Sequence, residues 1–107
     1  MTYRLVVRRQ AKADIRQAAR WYERQRVGLG RAFVGQIDAL LDRIRLNPMQ
    51  YQVVYREVRR ATPRQFPYGV FYRIDGAEAV VFAVVDLHRD PSIWQDREAT
   101  GEREQQA

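Results

Sequence analysis

Chemistry in this sequence has few tools to draw on. His88 is the only histidine, Lys12 the only lysine, and there is no cysteine. Without cysteine there is no disulfide framework, no thiolate metal site and no thiol nucleophile. One histidine argues against a zinc site built on imidazoles, and no metal or other cofactor is expected. With Lys12 set aside, 18 of the 19 basic residues are arginine. Arginine is a planar fork suited to phosphates, carboxylates and aromatic faces, whereas lysine is a point charge whose pKa can be tuned for base chemistry. Arg59, Arg60 and Arg64 lie close together in the sequence.

The formal charge is +6 over 107 residues. Residues 92–107 hold two arginines against four carboxylates, which leaves +8 on the first 91. A body that basic calls for an acidic partner or a nucleic acid. Lys12, Arg16, Arg20 and Arg24 recur every fourth residue, and like charges at that spacing need solvent or an anionic partner. The length suits one domain, expected over residues 1–94, with residues 95–107 a polar, disordered tail. No apolar run approaches the ~20 residues of a membrane span, and Met1-Thr2-Tyr3-Arg4 has no signal-peptide core. A soluble cytoplasmic protein without membrane contact is expected.

Elements must position these groups. Tyr3, Leu5 and Val7 alternate as in a strand. Ala11, Ile15, Ala18 and Tyr22 then follow a helical stripe, predicting a helix from Ala11 to Arg26 ended by Val27-Gly28-Leu29-Gly30. Phe33, Ile37, Leu40, Leu41 and Ile44 form a second stripe, closed by Asn47-Pro48. So short a link makes an antiparallel helical hairpin. Gly35 is expected where the two helices touch, and Leu41 and Ile44 between the second helix and a sheet. From Val53 onward the pattern is strand-like, and Asp75-Gly76 signals a tight hairpin. The final strand, Ala79–Leu87, is apolar on both faces: Val80, Phe82 and Val84 on one, Val81, Ala83 and Val85 on the other. Such a strand is central and covered on both sides. One helical hairpin covers one face, so the second is expected to be bare and to mark a partner site. Trp94 is expected to pack back on the body.

The fold class predicted is α+β: an N-terminal strand, an antiparallel two-helix hairpin, then a three- to four-strand antiparallel sheet. The ordered set Trp21-Tyr22-Glu23, Gly28-Leu29-Gly30, Asn47-Pro48, Arg59-Arg60, Phe66-Pro67-Tyr68-Gly69-Val70-Phe71-Tyr72 and His88-Arg89-Asp90-Pro91 resembles the RelE/ParE family. These are the toxins of bacterial type II toxin–antitoxin modules, once called plasmid stabilisation proteins, and the resemblance spans residues 3–94. It implies neutralisation by a cognate antitoxin in a hetero-oligomer. Arg59, Arg60 and Arg64 would then meet antitoxin carboxylates, while Val81, Ala83 and Val85 lie under its apolar segment.

The family divides by target. ParE-like members poison DNA gyrase and need no catalytic constellation; RelE-like members cut mRNA on the ribosome. RNA cleavage by 2′-hydroxyl attack needs a base, an acid and cations on the developing charge. The lysine-based set of many RelE-like enzymes is absent after Lys12. A glutamate–histidine set would consist of Glu57 as base, Arg73 as phosphate clamp and His88 as acid. Each also has a plainer reading: Glu57 in a surface ion pair, Arg73 paired with a neighbouring carboxylate, and His88 hydrogen-bonded to Asp86. The ParE-like branch is the reading adopted, with Arg73, His88 and Arg89 as target contacts; the alternative is a ribosome-dependent mRNA endonuclease.

Overall fold

The computed structural model describes residues 2–98. The elements are β1 (Arg4–Val7), α1 (Arg9–Gln25), α2 (Leu29–Leu46), β2 (Val53–Tyr55), β3 (Val58–Ala61), β4 (Tyr68–Asp75) and β5 (Glu78–Asp86). A 3₁₀ turn at Pro48–Gln50 follows α2. Residues 92–98 form a third helix, α3. The tail expected from residue 95 is therefore helical through 98, and the rest of that expectation lies outside the described residues. The strands make one five-stranded sheet in the order β1-β5-β4-β3-β2. It is mixed, not wholly antiparallel: β1 runs parallel to β5, with Arg4 opposite Glu78 and Val7 opposite Val81.

The hairpin lies on one face. Phe33, Ile37, Leu40 and Ile44 of α2 and Ala11 and Ala18 of α1 bury their side chains against Ala61, Val70, Tyr72, Ala79, Val81 and Val84. Leu40 takes the fully buried place expected of Leu41, which is only half-buried at the rim of the same cluster. The glycine that lets the helices touch is Gly30, not Gly35. A Cβ on Gly30 would stand 2.4 Å from the Ala19 carbonyl oxygen, while one on Gly35 would meet open space. The corner is held by Glu23, whose carboxylate accepts the backbone N–H groups of Gly28 and Gly30 at 3.0–3.1 Å. An anion there also suits the partial positive charge at the start of α2.

Strict alternation fails in β5. Phe71 of β4 pairs with Ala83, but Tyr72 pairs with Val81, so Phe82 is an inserted residue. This β-bulge turns both Phe82 and Ala83 away from the helices and sends Val81 and Val84 toward them. The second face is not bare. Val58, Phe71, Phe82, Ala83 and Val85 lie under Trp94 of α3, with Ile93 beside it. The Trp94 ring stacks on Phe71 at 4.2 Å between centroids and meets Tyr55 edge-on at 5.6 Å.

Candidate functional site

β5 outruns its parallel neighbour. Pairing ends at Val81, whose carbonyl accepts the Arg8 N–H, and the rest of that edge faces a groove. The walls are α1, the end of β5 and α3, with Gln17, Trp21, Tyr68, Asp86 and Arg89 among the lining residues; the volume is about 690 Å³. Asp14 closes its inner end. Its carboxylate accepts the Val84 N–H at 2.9 Å and grips the Arg97 guanidinium through two hydrogen bonds. An α1 side chain thus caps an open sheet edge and ties down α3. Trp21 stands 49% exposed on the groove wall. Its neighbour Tyr22 instead stacks on Phe33 and packs edge-on against Phe66. Burial, then the charges of Tyr22 and Asp86, push the Tyr68 phenol up to about 12. Sequence reasoning missed Asp14 and Arg97. The available signal was a carboxylate at the edge of the apolar α1 stripe, one turn from Ala11 and Ala18.

The residues of the nuclease alternative are not brought together. Arg73 is 9% exposed, and its guanidinium lies 4.0 Å from the Glu98 carboxylate under α3. Glu57 is exposed at the β2–β3 turn, at the same end of the sheet as Arg73. His88 follows the other end of β5, where Asp86 pairs with Tyr68, five residues or roughly 17 Å along β4 from Arg73. It is exposed, and Nδ1 lies 2.9 Å from the Asp86 carboxylate that also accepts its backbone N–H.

The remaining candidates divide in the same way. Arg59 and Arg60, consecutive on β3, point to opposite faces of the sheet. The Arg59 guanidinium donates to the carbonyls of Tyr51 and Met49 at 2.6 and 3.2 Å. Arg60 and Arg64 are exposed, Arg64 standing beside Gln36 and Arg43 of α2. Val81, Ala83 and Val85 are all buried by the chain itself, Val81 under the helices and the other two under α3. Arg89 is exposed on the groove wall. Among the described residues no group of three or more His, Cys, Asp or Glu could hold a metal ion, and no helix is long and apolar enough to cross a membrane.

The chain is similar in fold to a solved chain described as a chromosomal ParDE TA system from P. aeruginosa, with a TM-score of 0.73 and 18% identity. The likeness covers 81% of this chain and 98% of that one. A sequence search of the curated proteins gives no match. The family model for the ParE toxin of the type II toxin-antitoxin system, parDE, matches residues 5–91, from β1 through the end of the sheet. The chain belongs to the ParE toxin family of type II toxin–antitoxin systems.

Proposed function

We propose that the protein acts in the cytoplasm by inhibiting DNA gyrase and is neutralised by a cognate antitoxin. The observation that carries the choice of target is the separation of Glu57 and Arg73 from His88 across the sheet. A nuclease working through those three groups needs them around one phosphodiester, within hydrogen-bond reach of the same atoms. Here Arg73 is turned under α3 toward Glu98, and His88 pairs with Asp86. An inhibitor that works by binding has no such requirement. His88 and Arg89 stay exposed as target contacts, whereas Arg73 is beneath the surface.

The antitoxin reading rests on family membership and on the surface. Arg60 and Arg64 are open to carboxylates, and the apolar contact once assigned to Val81, Ala83 and Val85 passes to the groove beside Trp21. The deciding experiment mixes the purified protein with gyrase and supercoiled plasmid, and in parallel with programmed ribosomes. Accumulation of gyrase–DNA cleavage products with intact mRNA is expected. Ribosome-dependent mRNA cleavage that collapses on His88→Ala, with gyrase unaffected, overturns the reading.

A further inference from the structure

The outer face of α1 takes no part in the core, the groove or the contacts assigned above. At 100° per residue, Arg9, Lys12, Arg16, Arg20 and Arg24 fall within an arc of about 120°, opposite the buried Ala11 and Ala18. All five are exposed. With about 1.5 Å of rise per residue they span roughly 22 Å of helix axis. Among the described residues, none of the five has a carboxylate within ion-pair distance. The two carboxylates that α1 does carry are withdrawn: Asp14 reaches inward to Val84 and Arg97, and Glu23 binds the backbone N–H groups of Gly28 and Gly30.

We infer that this face binds the phosphate backbone of duplex DNA. Like charges at i, i+4 repel, and no neighbouring carboxylate relieves them, so a bound polyanion offsets that repulsion more fully than solvent and salt do. The spacing is compatible: cations four residues apart repeat about every 6 Å of helix axis, a run of positive charge that a phosphate backbone can meet along one side. Four of the five cations are arginines, the side chain suited to phosphate. An acidic protein is a poorer fit. Protein interfaces are depleted of charge at their centre and enriched in aromatics, and this arc holds, besides the cations, only the Ala13 methyl and the occupied Glu23. Single-stranded nucleic acid needs stacking aromatics between the charges; Trp21 lies off the row, on the groove side. A membrane surface needs a free apolar face on the same helix, and that of α1 is buried in the core. The inference is independent of the choice of gyrase as target.

The test is fluorescence anisotropy of the whole protein with a labelled mixed-sequence duplex of about 20 base pairs, without gyrase. Five phosphate contacts give a log–log salt slope of about −4.5, so affinity falls roughly 500-fold between about 50 and 200 mM salt. The variant K12Q/R16Q/R20Q/R24Q, checked for folding by circular dichroism, should bring the slope to about −1. The control R4Q/R31Q/R43Q/R45Q removes equal charge elsewhere and should keep the slope at about −4.5. If the quadruple variant does not fold, R16Q and R20Q should each reduce the slope by about 0.9. Equal loss in the control variant overturns the inference, since net charge alone would then explain binding. Competition by poly-L-glutamate as effective as that by unlabelled duplex, or tighter binding to duplex RNA of the same length, overturns it too.

Discussion

The two faces of the sheet are closed by different means. The hairpin face is covered by two long helices, and its contacts are almost wholly apolar: Phe33, Ile37, Leu40 and Ile44 over Val70, Tyr72, Val81 and Val84. The other face is closed by one short helix bearing a single large anchor, Trp94, on Phe71. Around that anchor the fastenings are ionic: Arg97 to Asp14, and Glu98 to Arg73 and Arg56. Apolar burial over a large area responds little to salt, and to pH only where its tyrosines ionise, whereas a small patch ringed by ion pairs is sensitive to both near neutrality. The hairpin face is thus the scaffold of the domain, and the α3 face is a latch.

The sharpest test of that contrast is a pair of truncations. Phe33→Ala should destabilise the whole protein by about 3–5 kcal/mol, the range for deleting a buried aromatic, read from denaturant melts. Trp94→Ala should cost less, about 1.5–3 kcal/mol, because α3 can lift off instead of leaving a cavity. Hydrogen exchange should then rise at Val84 and in α3 while the α2 amides stay protected. Equal global costs for the two variants would erase the distinction between scaffold and latch.

Alkali should attack the scaffold. Burial raises the phenols of Tyr22, Tyr68 and Tyr72 above their usual 10.0, that of Tyr68 to about 12. The Tyr72 hydroxyl also donates to the Pro48 carbonyl at 2.5 Å. The fold favours the neutral form of each, so their contribution is whole below pH 10.0 and is lost as pH rises through each folded value, that of Tyr68 at about 12 and that of Tyr72 above it. Melting temperature should fall over that window, and Tyr68→Phe should remove the absorbance phase near 12. Acid should give the smallest effect and touch the latch. Hydrogen bonds from Ser92, its backbone N–H at 2.9 Å first, hold the Asp90 carboxyl below its usual 3.8. This cap at the start of α3 is present above pH 3.8 and lost as pH falls below it. Trp94 fluorescence should shift there before the helical signal of α1 and α2 changes.

The scaffold was legible in the sequence, and of the latch only its anchor, Trp94, which packs on the body as expected. The stripes Ala11–Tyr22 and Phe33–Ile44 are long enough for their period to name both helix and face, and Asp75-Gly76 marks a turn whose Gly76 has φ +61°. Ile93 and Trp94, by contrast, sit in a polar run too short to show any period, so the sequence marks an anchor there but not the helix that carries it over the second face. The bulge at Phe82 is invisible because every residue from Ala79 to Val85 is apolar, and alternation carries no phase there. Gly35 points to open space and Gly30 makes the contact; sequence shows where a glycine is, not which way its helix turns. Asp14 escaped notice since its hydrogen-bond partner, Val84, is seventy residues away.

The parallel pairing of β1 with β5 sets a timetable for synthesis. Arg4 emerges from the ribosome early, yet its partner Glu78 follows 74 residues later. At about 5–20 residues per second the wait is roughly 4–15 s. During it the helical hairpin, whose contacts are local, can form and shelter β1, but the sheet cannot close and Trp94 has no Phe71–Phe82 surface to land on. The nascent chain therefore presents no finished surface to target or antitoxin while β5 is still being made, and both must wait for the same late event.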